Sequence, residues 1–122
     1  MITLRKNAER RHIKSATQDS WLTFHNHERF GQPNEDFGPV TAFNEILLAP
    51  GAVSVPFLRE EAEVLTYAYK GAIAQENSTG NSGVLQAGEF QHMSAGRGIR
   101  HKETNPSGTE WTHVFRISLR PS

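Results

Sequence analysis

The stretch WTHVFRISL, Trp111 to Leu119, decides the fold class. Trp111, His113, Phe115, Ile117 and Leu119 recur at every second position, and most residues between them are polar. A period of two is the pattern of a strand, whose successive side chains point to opposite faces. A helix would instead repeat its apolar residues at i, i+3 and i+4. Past the first dozen or so residues no window carries that helical pattern between caps.

Working outward from this segment, further strand-like pieces appear. Val40 to Leu48 is apolar and β-branched and is closed by Ala49-Pro50-Gly51. Glu63 to Tyr69 (EVLTYAY) is β-branched and aromatic, Lys70-Gly71 breaks or bends it, and Ala72 to Gln75 resumes it. Asn77 to Gly83 (NSTGNSG) is dense in residues that accept positive φ cheaply and reads as a turn. Val84 to Leu85 and Phe90 to Met93 are two shorter pieces, and Ser94 to Gly98 (SAGRG) is another turn. Many short strands separated by Gly and Pro turns predict an all-β antiparallel sandwich or barrel.

Length and composition bound the function. The chain has 122 residues, enough for one domain with a single core. An apolar fraction of 36% predicts a globular fold. Lys and Arg number 13, as do Asp and Glu, so the formal charge is zero and non-specific nucleic-acid binding is not expected. No cysteine is present, which excludes disulfides and thiolate metal sites and fits a cytoplasmic protein. The basic start has no apolar stretch after its charges, so it is not a secretory signal. No run is long and apolar enough to span a bilayer. Arg5, Lys6, Arg10, Arg11 and Lys14 read as a solvated face, with an acidic partner as the competing reading.

One segment carries candidate chemistry. In SAGRGIRHKE, Ser94 to Glu103, His101 and Glu103 stand two residues apart after a glycine-rich turn, and their side chains raise the question of whether they hold a metal. Gly96 and Gly98 serve backbone geometry. Their Gly-x-Gly is no phosphate loop, because it lacks the strand, glycine loop and helix context.

The segments GPVTAFNEILLAPGA (38–52), EVLTYAYKGAIAQENSTGNSGVLQAGE (63–89) and QHMSAGRGIRHKETNPSG (91–108), with Ser20-Trp21-Leu22 before them, resemble the N-terminal domain of the pirin family, within the cupin superfamily. The likeness runs from about Trp21 to Leu119, and the GNSG turn with the AGRGI-x-H-x-E segment is highly specific. The resemblance implies a single cupin domain over 21–122, a jelly-roll β-barrel with a small cavity, preceded by an N-terminal segment over 1–20. Pirins carry two such barrels in tandem, and this chain ends after the first. They hold iron or a similar metal through two histidines of an H-P-H segment and the later His and Glu. The later pair is matched by His101 and Glu103. The earlier positions are matched by Phe57 and Arg59, with Leu58 between them. Phenylalanine has no donor atom, and arginine is permanently protonated and has no lone pair to give.

With two of the four ligands replaced, a degenerate metal site is expected. No cofactor is expected at full occupancy, and any metal bound would be a divalent ion of Fe, Ni, Cu or Zn. The guanidinium of Arg59 is expected to satisfy Glu103 in the metal's place while Phe57 fills space, the alternative being that Arg59 turns to Glu60 or Glu61. Four histidines are candidates to rescue a metal: His92, His113, and the pair His25 and His27. A lone histidine on an apolar face is more often a satisfied core residue, and paired histidines in an irregular segment are more often surface groups. Glu63, Tyr67, His92 and His113 are the cavity candidates; Phe43, Tyr69 and Trp111 read as core or wall. Glu63 reads equally as a proton-handling carboxylate near the cavity and as a strand-edge charge.

The function expected is that of a small-molecule-binding or regulatory cupin without strong metal-dependent catalysis. The alternative is a metal-dependent oxidoreductase like the quercetin 2,3-dioxygenases, whose site pirins resemble. A third reading, a protein-interaction role, follows family members that act as transcription cofactors in a manner linked to their iron. The expected partners are a small molecule in the barrel and a second copy in a homodimer, with no nucleic acid and no membrane.

Overall fold

The computed structural model describes residues 4, 6–23, 39–55, 63–77, 82–94 and 101–120. A 3-10 turn at Asn7–Glu9 leads into β1 (Arg11–Lys14), β2 (Gln18–Leu22), β3 (Val40–Leu48), β4 (Val53–Ser54) and β5 (Glu63–Lys70). These are followed by β6 (Ala72–Asn77), β7 (Ser82–Gln86), β8 (Phe90–Ser94), β9 (His101–Thr104) and β10 (Thr112–Leu119). Among the described residues the strands form two sheets, in the orders β1-β2-β3-β10-β5-β8 and β4-β9-β6-β7. Every pairing is antiparallel. The all-β expectation holds, and β3 has the bounds read from the sequence. The four strands not anticipated are β1, β2, β4 and β9, all of five residues or fewer. β1 and most of β2 precede residue 21 and are hydrogen-bonded through β2 to β3 in the six-stranded sheet.

The core lies between the sheets. Val114 of β10 and Ala68 of β5 meet Ile73 of β6 and Leu85 of β7, with Ile46 of β3 packed against them. Burying an aliphatic side chain of this size contributes about 1.5–3 kcal/mol. A second cluster of Leu48, Ala49 and Ala52 forms around the turn after β3. Asn105, fully buried, ties that turn to the end of β9: its Nδ2 donates to the carbonyls of Leu48, Ala49 and Glu110 at 2.8–3.1 Å.

The alternation in Trp111 to Leu119 has a consequence opposite to a simple reading. Thr112, Val114 and Arg116 are the buried set of β10, and His113, Phe115 and Ile117 project from the other face. That outward face of the six-stranded sheet is aromatic. Phe115 packs edge-on against Phe43 and tilted against His113, Tyr69 packs edge-on against His113, and Tyr67 packs on Phe90 at 4.5 Å. Such pairs share apolar area across neighbouring strands. Tyr69 and Phe90 remain 59% and 71% exposed.

Lys70-Gly71 proves to be a corner. β5 belongs to one sheet and β6 to the other, and Gly71 between them has φ +80°. A Cβ at Gly71 would stand 2.7 Å from Thr112 Oγ1. The Thr112 hydroxyl donates to Ala72 O at 2.7 Å and accepts from Ala72 N at 3.3 Å, so it clamps the chain where it changes sheet.

Candidate functional site

The site grows from the alternation of β9. His101 and Glu103 are two residues apart on one strand, so both side chains face the same way. That way is inward, and both are buried. The imidazole Nε2–H of His101 donates to Glu103 Oε2 at 3.2 Å. The same oxygen accepts from Arg116 Nη2, which reaches across from β10 in the opposite sheet. Arg116 Nε also donates to Thr66 Oγ1 at 3.4 Å, and Thr66 is its register partner on β5. Glu103 is thus an ionised carboxylate inside the protein, held by one guanidinium and one imidazole. Burial alone pushes its pKa up; the His101 hydrogen bond and the charge and hydrogen bond of Arg116 outweigh this and hold it below the usual carboxylate range.

A second polar bridge runs beside the first. Gln91 of β8 donates through Nε2 to Gln75 Oε1 on β6, again joining the two sheets. Gln75 is the register partner of Glu103, and its own Nε2 is buried with no partner among the described residues. Gln75, Gln91 and His101 also border a cavity of about 500 Å³, whose apolar wall includes Leu85, Phe90 and Met93. A few polar groups against an apolar wall is the usual make-up of a small-molecule site.

The other sequence candidates fall as follows. Phe57 and Arg59 lie outside the described residues, as do His25, His27, Glu60, Glu61, Gly96 and Gly98. Among the described residues the arginine that pairs with Glu103 is Arg116. His92, on the edge strand, borders the cavity. Tyr67, Glu63 and His113 are on the outward face, because Val64, Thr66 and Ala68 take the inward positions of β5 and Val114 and Arg116 those of β10. Glu63 accepts from His92 Nε2 at 2.6 Å and from Ser94 Oγ at 2.8 Å. The hydrogen bonds from Ser94 and His92 hold its pKa below the ordinary value. His113 Nε2 donates to Glu45 Oε2 at 2.6 Å, and Arg10 Nη1 holds Glu45 Oε1 at 2.7 Å. The basic N-terminal cluster therefore gives one of its members to the fold. Sequence reasoning does not find Arg116, because a charged residue alternating with Trp111, Phe115, Ile117 and Leu119 reads as solvent-facing.

Whether these residues suit a divalent ion is a question of donor chemistry. His101 and Glu103 supply two donors, and among the described residues no group of three or more His, Asp or Glu could hold a metal. One Glu103 oxygen, Oε2, already accepts from Arg116 and His101. A divalent ion bound at Glu103 would stand near that guanidinium, and the two cations would repel each other. Among the described residues, two donors with one of them already ion-paired do not by themselves make up a metal site.

The Pirin family profile matches residues 5–118 of the chain. Quercetin 2,3-dioxygenase of Escherichia coli K12 is 39% identical over 122 residues, which is 99% of this chain and 52% of that protein. The crystal structure of bacterial pirin YhhW from Escherichia coli in complex with nickel(II) superposes with a TM-score of 0.85 at 35% identity, over 100% of this chain and 53% of that one. KdgF from Halomonas sp. is similar in fold alone, with a TM-score of 0.65 at 14% identity, over 100% of this chain and 97% of that one. The chain thus spans about half the length of the curated relatives it matches.

Proposed function

Because the chain belongs to the pirin family of cupins, we propose that it is a small-molecule-binding or regulatory barrel that works without a resident catalytic metal. The observation that carries this reading is the shared oxygen of Glu103: the carboxylate at the family's metal position is already paired with Arg116 and His101. The nearby cavity, with Gln75, Gln91 and His101 on its polar side, is the place for the ligand. A homodimer built on the exposed aromatic face, a cytoplasmic setting, and the absence of nucleic-acid and membrane partners belong to the same reading. No helix among the described residues is long and apolar enough to cross a membrane.

The second reading is a metal-dependent quercetin 2,3-dioxygenase-like oxidoreductase, favoured by the 39% identical relative of that name. One pair of measurements separates the two. Elemental analysis of tag-free protein should find far less than one transition metal per chain. Quercetin absorbance should then decay no faster than in a protein-free control, with or without added iron, nickel or copper. Near-stoichiometric metal together with turnover would establish the second reading instead.

A further inference from the structure

The Arg116 side chain is 7% exposed and is fixed along its guanidinium. Nη2 is on Glu103 of one sheet and Nε is on Thr66 of the other. It is not a surface arginine that has folded over the site, because its backbone is hydrogen-bonded to β3 and β5 on both sides. Position 116 takes the inward direction by the same alternation that buries Thr112 and Val114. The cation is therefore built into the barrel wall.

We propose that Arg116 is the residue that determines whether this barrel takes a divalent ion, acting as a permanent internal counter-ion on Glu103 independently of the residues at positions 57 and 59. The inference rests on the reading that the barrel works without a metal and adds the residue responsible. A lysine or histidine beside a carboxylate can lose its proton and give way to a metal ion. Arginine cannot do so in any ordinary pH range, and it has no lone pair with which to become a ligand. Nor can it swing aside cheaply, since that would leave a guanidinium buried without its carboxylate. By the family resemblance, histidines at 57 and 59 would restore the two earlier donors, but they would leave the Arg116 guanidinium on Glu103, so they are not sufficient.

The test uses nickel(II) as the probe on two full-length variants. One carries Phe57→His and Arg59→His; the other carries these changes and Arg116→Gln. Each is stripped with chelator, loaded with nickel, dialysed, and read by elemental analysis and calorimetry. The expected result is well under one nickel per chain in the first variant and close to one in the second, bound at least tenfold more tightly. Equal nickel in the two variants, whether full or empty, overturns the inference. If the second variant does not fold without metal, it is refolded from denaturant with and without nickel. Folding only with nickel supports the inference, and folding in neither case counts against it. These outcomes are separate from the fate of the underlying reading, which falls if the unaltered chain itself is purified with near-stoichiometric metal.

Discussion

At Glu103 two donors converge on one carboxylate oxygen, and the stability of the barrel centre depends on both being present. Removing one partner of a buried ion pair leaves the other charged and undersolvated, at a cost of about 3–5 kcal/mol. Arg116→Gln should therefore lower the unfolding free energy in urea by an amount in that range. The double variant Arg116→Gln, Glu103→Gln should recover much of the loss, because neither residue is then charged. A double variant as unstable as the single one would show that packing around Arg116, not its charge, is what matters. Asn105 is a second residue of this kind. Asn105→Ala would leave the carbonyls of Leu48, Ala49 and Glu110 without their shared donor, at about 1–3 kcal/mol for a buried group left unsatisfied. An unchanged urea midpoint would show that water replaces it.

Between elements, the corner at Gly71 and the attachment of the N-terminal hairpin are the places where one side chain decides an arrangement. Gly71→Ala meets two penalties, a positive φ and a Cβ 2.7 Å from Thr112 Oγ1. Gly88 has a similar φ of +89° but nothing within 4 Å of its Cβ position. Gly88→Ala should lose about 1–3 kcal/mol from backbone strain alone, and Gly71→Ala should lose clearly more. Equal losses would mean that Thr112 moves aside freely. Glu45 of β3 joins Arg10, just before β1, to His113 of β10. Partial burial pushes its pKa up, but the hydrogen bonds and charges of Arg10 and His113 bring it below the usual value. A carboxylate whose pKa is lowered by folding stabilises the protein above its unfolded pKa, and that contribution is lost as pH falls through the lower folded value. The gap in urea midpoint between the native chain and Glu45→Gln should therefore be present at pH 7 and shrink at pH 3. A gap independent of pH would sink the assignment.

For the whole molecule, the outward aromatic face of the six-stranded sheet sets the expectation about assembly. Tyr69 and Phe90 lie on it, mostly exposed, beside Tyr67, His113 and Phe115. Two copies of the chain meeting through this face would bury the aromatics in an isologous contact, the commonest closed assembly. Sedimentation velocity at micromolar concentration should show a dimer, and Tyr69→Asp should return it to a monomer. A monomer at that concentration in the unaltered chain would end the proposal.

What could be read from the chain alone was whatever depends on local periodicity and residue chemistry. β3, β5, β6, β8 and β10 follow from β-branched and aromatic alternation, and the bend at Lys70-Gly71 follows from a glycine between two such runs. His101 and Glu103 were legible as a pair because two residues on a strand share a face. A period of two says which side chains share a face, but not which face the rest of the molecule covers. For β10 that choice put Phe115 and His113 outside and Arg116 inside, since the opposite sheet brings Glu103 to the Arg116 side. The meeting of Arg116 with Glu103 is made by strands of different sheets, and no local pattern contains it. The sequence by itself determined the longer alternating strands, the turns between them and the His101–Glu103 pair. Only the tertiary structure decided that the carboxylate would be matched by an arginine of the opposite sheet, because the energy of a buried charge depends on what lies across the core from it.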